Sequence, residues 1–335
     1  MSDWKSVLNA DPIPWLLQEE NPSVRYFAMT ELMDIPDDNP EATKSKAQIM
    51  KTGVVPKILA RQNGEGYWGI AEDFYVKSKY KGTVWSLMIL AEMDADSNDE
   101  RITATCDFIL DMSQDRISGG FSHRGTHKNG GNHSRVLPCL TGNMVWSLIK
   151  FGYLKNPRLQ KGIDWITTYQ RFDDRTDKPP EGWPYGKAEP CWGKHTCSMG
   201  VIKALKALAE IPPDMRSKNV KDTIEKGAEY FLQHHVHKRS HSLDQVSKPG
   251  WLKFGFPLMY QTDALNILLI LTKLGYHDDR MQEAIDLVLS KQDNEGKWLM
   301  ENTYNGRMQV NIERKGKPSK WVTLNALKAI KGWYN

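Results

Sequence analysis

The chain has 335 residues, 40% of them hydrophobic and 26% charged, an ordinary globular composition that allows a large buried core. The net charge is only +4 and the longest basic run is Lys238-Arg239, so a nucleic-acid-binding protein is not expected. The longest apolar stretch, Ile267 to Leu271, is too short to span a membrane, and the absence of an apolar signal core near Met1 predicts a cytoplasmic, reducing location.

The N-terminal part, residues 1–58, is expected to form short, irregular helices. Its apolar stretches are Trp15-Leu-Leu, Val24 to Leu32 and Ala47 to Ile58. This part predicts one degenerate helix pair.

A repeat of about sixty residues runs through residues 59–335. Five predicted helices end in a glutamine that precedes a glycine- or tryptophan-rich turn: Gln62, Gln114, Gln170, Gln233 and Gln292. After each turn comes a second, more apolar helix, and these helices end at Met93, Gly152, Ile211, Gly275 and Gly332. The two series keep step, so the repeating unit is predicted to be a pair of helices.

The apolar periodicity predicts two layers of helices. The first helix of each pair has one apolar stripe, as at Leu159, Ile163 and Ile166, which is typical of an outer helix. The second helix is apolar over more of its circumference, which is typical of an inner one. A closed ring leaves no apolar end faces, whereas an open solenoid needs capping repeats. We therefore predict a single all-α domain, an α/α toroid of five to six helix pairs closed by residues 1–58.

Two of the turns resemble a known repeat motif. Gln62-Asn-Gly-Glu-Gly-Tyr-Trp68 and Gln292-Asp-Asn-Glu-Gly-Lys-Trp298 resemble the QW motif of squalene–hopene cyclases and related terpene cyclases, with three degraded copies between them. The resemblance covers residues 50–335. It implies a toroid in which each glutamine fastens its repeat to the next one, so Gln62 and Trp68 are assigned a structural role.

A cysteine-rich segment suggests a metal site. In a toroid, the inner helices begin at one end, where a central funnel is expected. Cys139 and Cys197 occupy almost the same register in neighbouring repeats, and Cys191 and His195 lie nearby. Three sulfurs and one imidazole form a tetrahedral zinc set, so these four residues are predicted Zn²⁺ ligands, the alternative being buried packing thiols and a hydrogen-bonded histidine. Cys106, in an outer helix, is interpreted as a packing residue.

The same segment resembles a second family. His195-Thr-Cys197 is similar to the His-Thr-Cys segment of protein prenyltransferase β-subunits, whose histidine binds the catalytic zinc. The resemblance implies a ligand role for Cys139 as well. The family's aspartate ligand is replaced here by Leu137, so Cys191 or Asp263 would have to complete the set.

Three other residues are candidate catalytic groups. Asp73 precedes the first inner helix, and Tyr260 and Asp263 precede the fourth, although Asp73 also suits a solvated loop and Asp263 a helix N-cap. Histidines His123, His127 and His133 lie in a glycine-rich stretch within 119–135 that is either a lid or a surface loop. The Asp-x-Asp-Asp motif for protonation in squalene cyclases is absent, so direct proton-initiated cyclisation is not expected.

These features leave the function open between three classes. The first is a zinc-dependent enzyme, transferase or cyclase, acting on an apolar or prenyl-like small molecule in an aromatic funnel. The second is a non-catalytic toroid that binds a peptide, glycan or protein partner around a structural Cys3His zinc. The third is a carbohydrate-active α/α barrel that uses paired carboxylates such as Asp73 and Asp263. The sequence does not determine the oligomeric state.

Overall fold

The computed structural model describes residues 4–174, 178–186, 189–193 and 195–335. Its α-helices within these ranges are α1 (Ile13–Leu16), α2 (Pro22–Phe27), α3 (Pro40–Ile49), α4 (Val54–Leu59), α5 (Thr83–Glu92), α6 (Glu100–Ser113), α7 (Pro138–Lys150), α8 (Pro157–Tyr169), α9 (Glu189–Trp192), α10 (Ser198–Ala209), α11 (Lys218–Gln233), α12 (Ala264–Lys273), α13 (Gln282–Ser290) and α14 (Lys320–Tyr334). Helix α2 continues as a π-helical turn, Ala28–Leu32. The described residues also form two short antiparallel hairpins. In the first, β1 (Gly125–Thr126) pairs with β2 (Gly130–Gly131), and in the second, β3 (Lys238–Arg239) pairs with β4 (Ser242–Val246).

The helices form the two layers that the periodicity predicts. Helix α5 is buried along nearly its whole length, because it is surrounded by other helices and carries no exposed polar stripe. Helix α11 buries one apolar face and exposes lysines and glutamates on the other, as an outer helix does. The inner layer therefore holds most of the core, and the outer layer separates it from solvent.

Contacts between the inner helices follow a circle. Helix α5 packs on α7, α7 on α10, α10 on α12 and α12 on α14, and α14 then packs on α1 and α2. The approach of α7 to α10 requires Gly142, because a Cβ atom there would lie 2.5 Å from the carbonyl carbon of Lys203. Ser23 at the start of α2 donates a hydrogen bond to the carbonyl oxygen of Met93, just after α5, at 2.8 Å. The circle is thus closed, and the fold is the predicted α/α toroid.

Three of the five repeat glutamines, Gln62, Gln114 and Gln292, bond to another segment of the ring. Gln170 and Gln233 instead donate locally, to the Arg171 carbonyl oxygen at 2.7 Å and to Glu229 at 3.2 Å, so the expected link is not made there within the described part of the chain. The Nε2 amide of Gln62 donates to the carbonyl oxygen of Arg101 in α6 at 2.8 Å, and Gln114 does the same to Arg158 in α8 at 2.7 Å. Gln292, in the last repeat, instead accepts at 3.0 Å from the backbone amide of Asn9. The final glutamine therefore ties the C-terminal repeat to the N-terminal segment, which completes the ring.

The two tryptophans of the clean motif copies occupy equivalent positions. The indole Nε1 of Trp68 donates to the carbonyl oxygen of Ile58 at 2.9 Å, and that of Trp298 donates to Val288 at 2.7 Å. Both backbone amides donate to a threonine hydroxyl of the following inner helix, at 3.2 and 3.0 Å. Each tryptophan joins the end of an outer helix to the start of its inner partner, which fits a structural role.

None of the helices in the described ranges combines the length and the apolarity needed to cross a membrane. One continuous hydrophobic core extends from Trp4 to Ile330 and includes residues of every repeat. The interior of the ring is the place where a site would be shielded from water.

Candidate functional site

Aromatic side chains pack together at the end of the ring where the inner helices begin. The Trp85 ring lies 4.7 Å from Tyr75, 5.2 Å from Tyr80 and 6.1 Å from Tyr260, and Tyr304 stacks on Tyr80 at 4.2 Å, all measured between ring centroids. Trp85 belongs to α5, whereas the four tyrosines come from the long loops that connect outer to inner helices. The sequence predicts a central funnel at this end, and the described side chains here include these packed aromatic rings.

The candidate carboxylates Asp73 and Asp263 are both engaged by backbone amides. Oδ1 of Asp73 accepts from the amides of Lys77 at 3.0 Å and Ser78 at 3.3 Å, so it closes a turn. Asp263 caps α12, with Oδ1 accepting from the Asn266 amide at 2.8 Å. Burial raises the pKa of the Asp263 carboxyl group to about 7, although two backbone hydrogen bonds oppose the rise. Asp263 is thus a cap that also titrates near neutrality.

Tyr260 lies at the same end, partly exposed and paired with a lysine. The ammonium of Lys79 lies 3.2 Å from the Tyr260 hydroxyl and 4.7 Å from its ring centroid. Burial alone would raise the pKa of Tyr260, but hydrogen bonds from Lys79 and Gln261 hold it below its ordinary value. The hydroxyl is therefore more acidic than that of an ordinary tyrosine.

Three of the four predicted zinc ligands lie near one another. The thiols of Cys139, Cys191 and Cys197 are close enough to influence one another electrostatically. Cys139 and Cys191 also interact electrostatically with the Tyr75 hydroxyl. Burial raises the pKa of Cys139, and it raises that of Cys191 to about 11. In this arrangement both groups are neutral thiols rather than thiolates.

The fourth predicted ligand, His195, contacts a backbone carbonyl oxygen. It is exposed, and its Nδ1 lies 2.7 Å from the carbonyl oxygen of Asp174. The neighbouring Lys194 lies outside the described residues. Within the described ranges, no three His, Cys, Asp or Glu side chains are arranged to hold a metal ion. The residues as placed do not fit a tetrahedral site, and zinc binding stays a prediction.

The glycine-rich segment 119–135 packs against α6. The Gly131 amide donates to the carbonyl oxygen of Gln114 at 2.8 Å, and a Cβ atom on Gly131 would lie 2.1 Å from the carbonyl oxygen of Ser113. His133 Nδ1 lies 2.6 Å from Asp115 Oδ2, and its ring stacks on Trp183 at 4.2 Å. These contacts attach the segment to the outer layer.

A cavity of about 380 Å³ lies inside the ring, toward the end where the inner helices finish. Its apolar wall comes from several inner helices and the loop before α12: Phe27, Trp146, Phe256, Leu269, Trp321 and Leu324. Trp321 stacks on Phe256 at 4.2 Å, with the rings inclined by only 5°. This cavity lies at the end of the ring opposite to the one where the sequence predicts a funnel.

Charged side chains surround this cavity in pairs. Its five lysines each contact a carboxylate, the pairs being Lys150–Asp94, Lys206–Glu92, Lys273–Glu210, Lys328–Glu31 and Lys331–Asp34. Most of these lysines lie in the last turns of their helices, where a positive charge also interacts favourably with the helix dipole. The rim is therefore close to electrically neutral, and its ion pairs link helices around the whole ring.

A further charged group lies deeper, where the sequence analysis singled out nothing. Lys203 is only 1% exposed in the middle of α10. Burial lowers the pKa of its ammonium to about 7, and the charge of Lys206 adds to this effect. In the sequence, Lys203 interrupts the apolar stretch Val201-Ile-Lys-Ala-Leu, which could have marked it as a buried lysine. Lys206 interrupts the same apolar helix, however, so the sequence does not tell the two lysines apart.

No family model matches this chain, and no curated protein matches it. Among solved structures, it is similar to a type II terpene cyclase from Scytonema, with 15% identity and a TM-score of 0.43 over 94% of this chain and 86% of that chain. A family 76 glycoside hydrolase from a bovine Bacteroides thetaiotaomicron strain is 12% identical, with a TM-score of 0.46 over 95% of this chain and 68% of that one. Such distant likenesses carry no argument about activity, and the ring is assigned from the contacts between this chain's own helices.

Proposed function

We propose that this protein is an enzyme that binds an apolar, prenyl-like small molecule inside its ring. The observation that carries the proposal is the cavity of about 380 Å³, walled by Trp146, Phe256 and Trp321. Cavities of roughly 300–1,000 Å³ with mostly apolar walls are typical of small-molecule sites. The substrate's apolar body would lie between the two tryptophans.

The neutral rim supports a substrate without a high charge. Each rim lysine already contacts a carboxylate, so a polyanionic ligand would have to break ion pairs in order to bind there. An apolar molecule needs no such rearrangement. The aromatic walls favour it further, because stacked rings present large apolar faces.

Two buried groups with shifted pKa values support an enzyme rather than a passive binder. Asp263 and Lys203 are both buried, and burial brings the pKa of each to about 7. Groups shifted toward neutrality within a closed interior are typical of active sites. The carbohydrate-active alternative has less support, because backbone amides already engage both Asp73 and Asp263.

Zinc is a separate part of the proposal and does not depend on the cavity. Cys139, Cys191 and Cys197 would supply the sulfurs, and His195 would have to turn away from the carbonyl oxygen of Asp174 to join them. We expect elemental analysis of the purified protein to find zinc, and Cys197→Ser to lower the amount bound. Cys106→Ala, in α6, is the control and should leave the zinc content unchanged. Wild-type protein without zinc would remove this part of the proposal.

The cavity itself is tested with farnesol, an uncharged prenyl alcohol. We expect it to quench the tryptophan fluorescence of the wild-type protein in a saturable manner. Trp146→Ala should weaken binding by roughly tenfold to a hundredfold, because it removes an apolar wall worth about 1.5–3 kcal/mol of burial. Trp146 also lies beneath Lys206, whose ammonium is 3.4 Å from its ring centroid.

The matched control is Trp333→Ala, near the end of α14. Trp333 stacks on His277 at 5.8 Å and does not line the cavity. Its removal should leave farnesol affinity unchanged. Equal losses for the two variants, or no saturable binding to the wild-type protein, would contradict the proposed site.

A further inference from the structure

Lys203 does not itself line the cavity, but it lies on the side of α10 whose residues do. Lys206 and Glu210 line the cavity, and Lys203 precedes them by three and seven residues, which places all three on one side of the helix. In α7, Asn143 likewise precedes the cavity-lining residues Trp146 and Lys150 by three and seven residues. Asn143 and Lys203, called the polar floor here, thus lie about one helical turn before the cavity-lining residues Trp146 and Lys206.

The lysine of this floor differs from those of the rim. Among the described residues, Lys203 makes neither a hydrogen bond nor an ion pair, whereas its electrostatic neighbours Glu92 and Asp263 are engaged by Lys206 and by backbone amides. A buried ammonium without a partner is costly, because it loses its hydration and gains nothing in exchange. Such a group is expected where a ligand supplies the missing partner. The unpaired ammonium of Lys203 therefore indicates the chemistry of the ligand, which is a polar acceptor group on an otherwise apolar molecule.

We propose that the substrate carries one carboxylate, and that Lys203 binds it at the floor of the cavity. The inference rests on the proposed function and adds the substrate class. One unpaired ammonium matches one carboxylate, which would replace the lost hydration by a charge-assisted hydrogen bond. A diphosphate would need more free cations than the floor supplies, because the rim lysines are already paired.

The test compares three ligands with the same prenyl skeleton, namely farnesoate, its methyl ester and farnesol. By isothermal titration, wild-type protein should bind farnesoate roughly tenfold to a hundredfold more tightly than either uncharged ligand, as a hydrogen bond to a charged group implies. Lys203→Met should remove this preference while still binding farnesol. Lys218→Met, which removes an exposed lysine from the outer helix α11, should retain it.

The ligand series gives an answer even if the Met variant does not fold, because the preference is measured on wild-type protein alone. Equal affinity for farnesoate and farnesol would overturn the carboxylate inference and leave the cavity proposal standing. A preference that survives in folded Lys203→Met would overturn the role of Lys203. Failure of all three ligands to bind would overturn both proposals.

Discussion

Replacing Trp68 or Trp298 by Ala is expected to lower the free energy of unfolding by about 3–5 kcal/mol, as for other large core truncations. Both side chains are essentially inaccessible to solvent, at 1% and 0% exposure. Each also donates its indole N–H to a carbonyl oxygen near the end of an outer helix, so truncation leaves a cavity and removes one of the hydrogen bonds to that oxygen. Because the two positions are equivalent in the repeat, the losses should be similar.

Urea unfolding followed by circular dichroism measures this loss. Trp183→Ala is the control, since Trp183 is half-buried and stacks on His133 at the surface of the outer layer. Its loss should be clearly smaller. If Trp68→Ala abolished ligand binding without lowering the melting temperature, the structural role of the motif would be wrong.

Lys203→Met is expected to stabilise the protein by about 1–4 kcal/mol near neutral pH, the range found when buried charges are replaced by apolar side chains. Met has a similar length and needs no hydration. The gain would accompany the loss of carboxylate binding described above. A residue that costs stability and supports binding is expected of a functional group and not of a structural one.

The stability difference between Lys203→Met and the wild-type protein should depend on pH. Burial lowers the pKa of Lys203 to about 7, whereas a lysine in the unfolded chain titrates near about 10.4. Between these values the unfolded state binds more protons, so wild-type stability rises with pH. The advantage of the Met variant should therefore be full below about pH 7 and fade toward about pH 10.

The groups that face Lys203 are Lys206 on its own helix, Glu92 on α5, Asp263 at the start of α12 and Cys139 on α7. All of them are retained in the Met variant, so the difference between the two proteins isolates the lysine. Urea unfolding at about pH 6 and about pH 9.5 measures it. A Met variant less stable than wild type at both values would show that the ammonium makes a stabilising contact.

The ring could be predicted from the sequence because residues close together along the chain define its repeat. Gln62, Gln114 and Gln292 mark the ends of outer helices, and the apolar helices between them keep the same spacing. Those glutamines also make the bonds between repeats that the motif implies. Helix periodicity and capping depend on neighbours along the chain, so a single sequence reveals them.

The location of the cavity could not be predicted in the same way. It depends on how far aromatic side chains from long loops, such as Tyr75, Tyr260 and Tyr304, fill the end where the inner helices begin. That outcome is decided by packing between distant segments, which helical spacing does not record. Register did bring Cys139 and Cys197 close together, but it did not specify which way His195 turns.

The site inside the ring is tested most directly by a crystal structure of the protein with farnesoate. Density for the prenyl chain is expected between Trp146 and Trp321, with a carboxylate oxygen within about 2.7–2.9 Å of Lys203 Nζ. Farnesoate bound outside the ring, or an empty cavity at a concentration that saturates the protein in solution, would contradict the account.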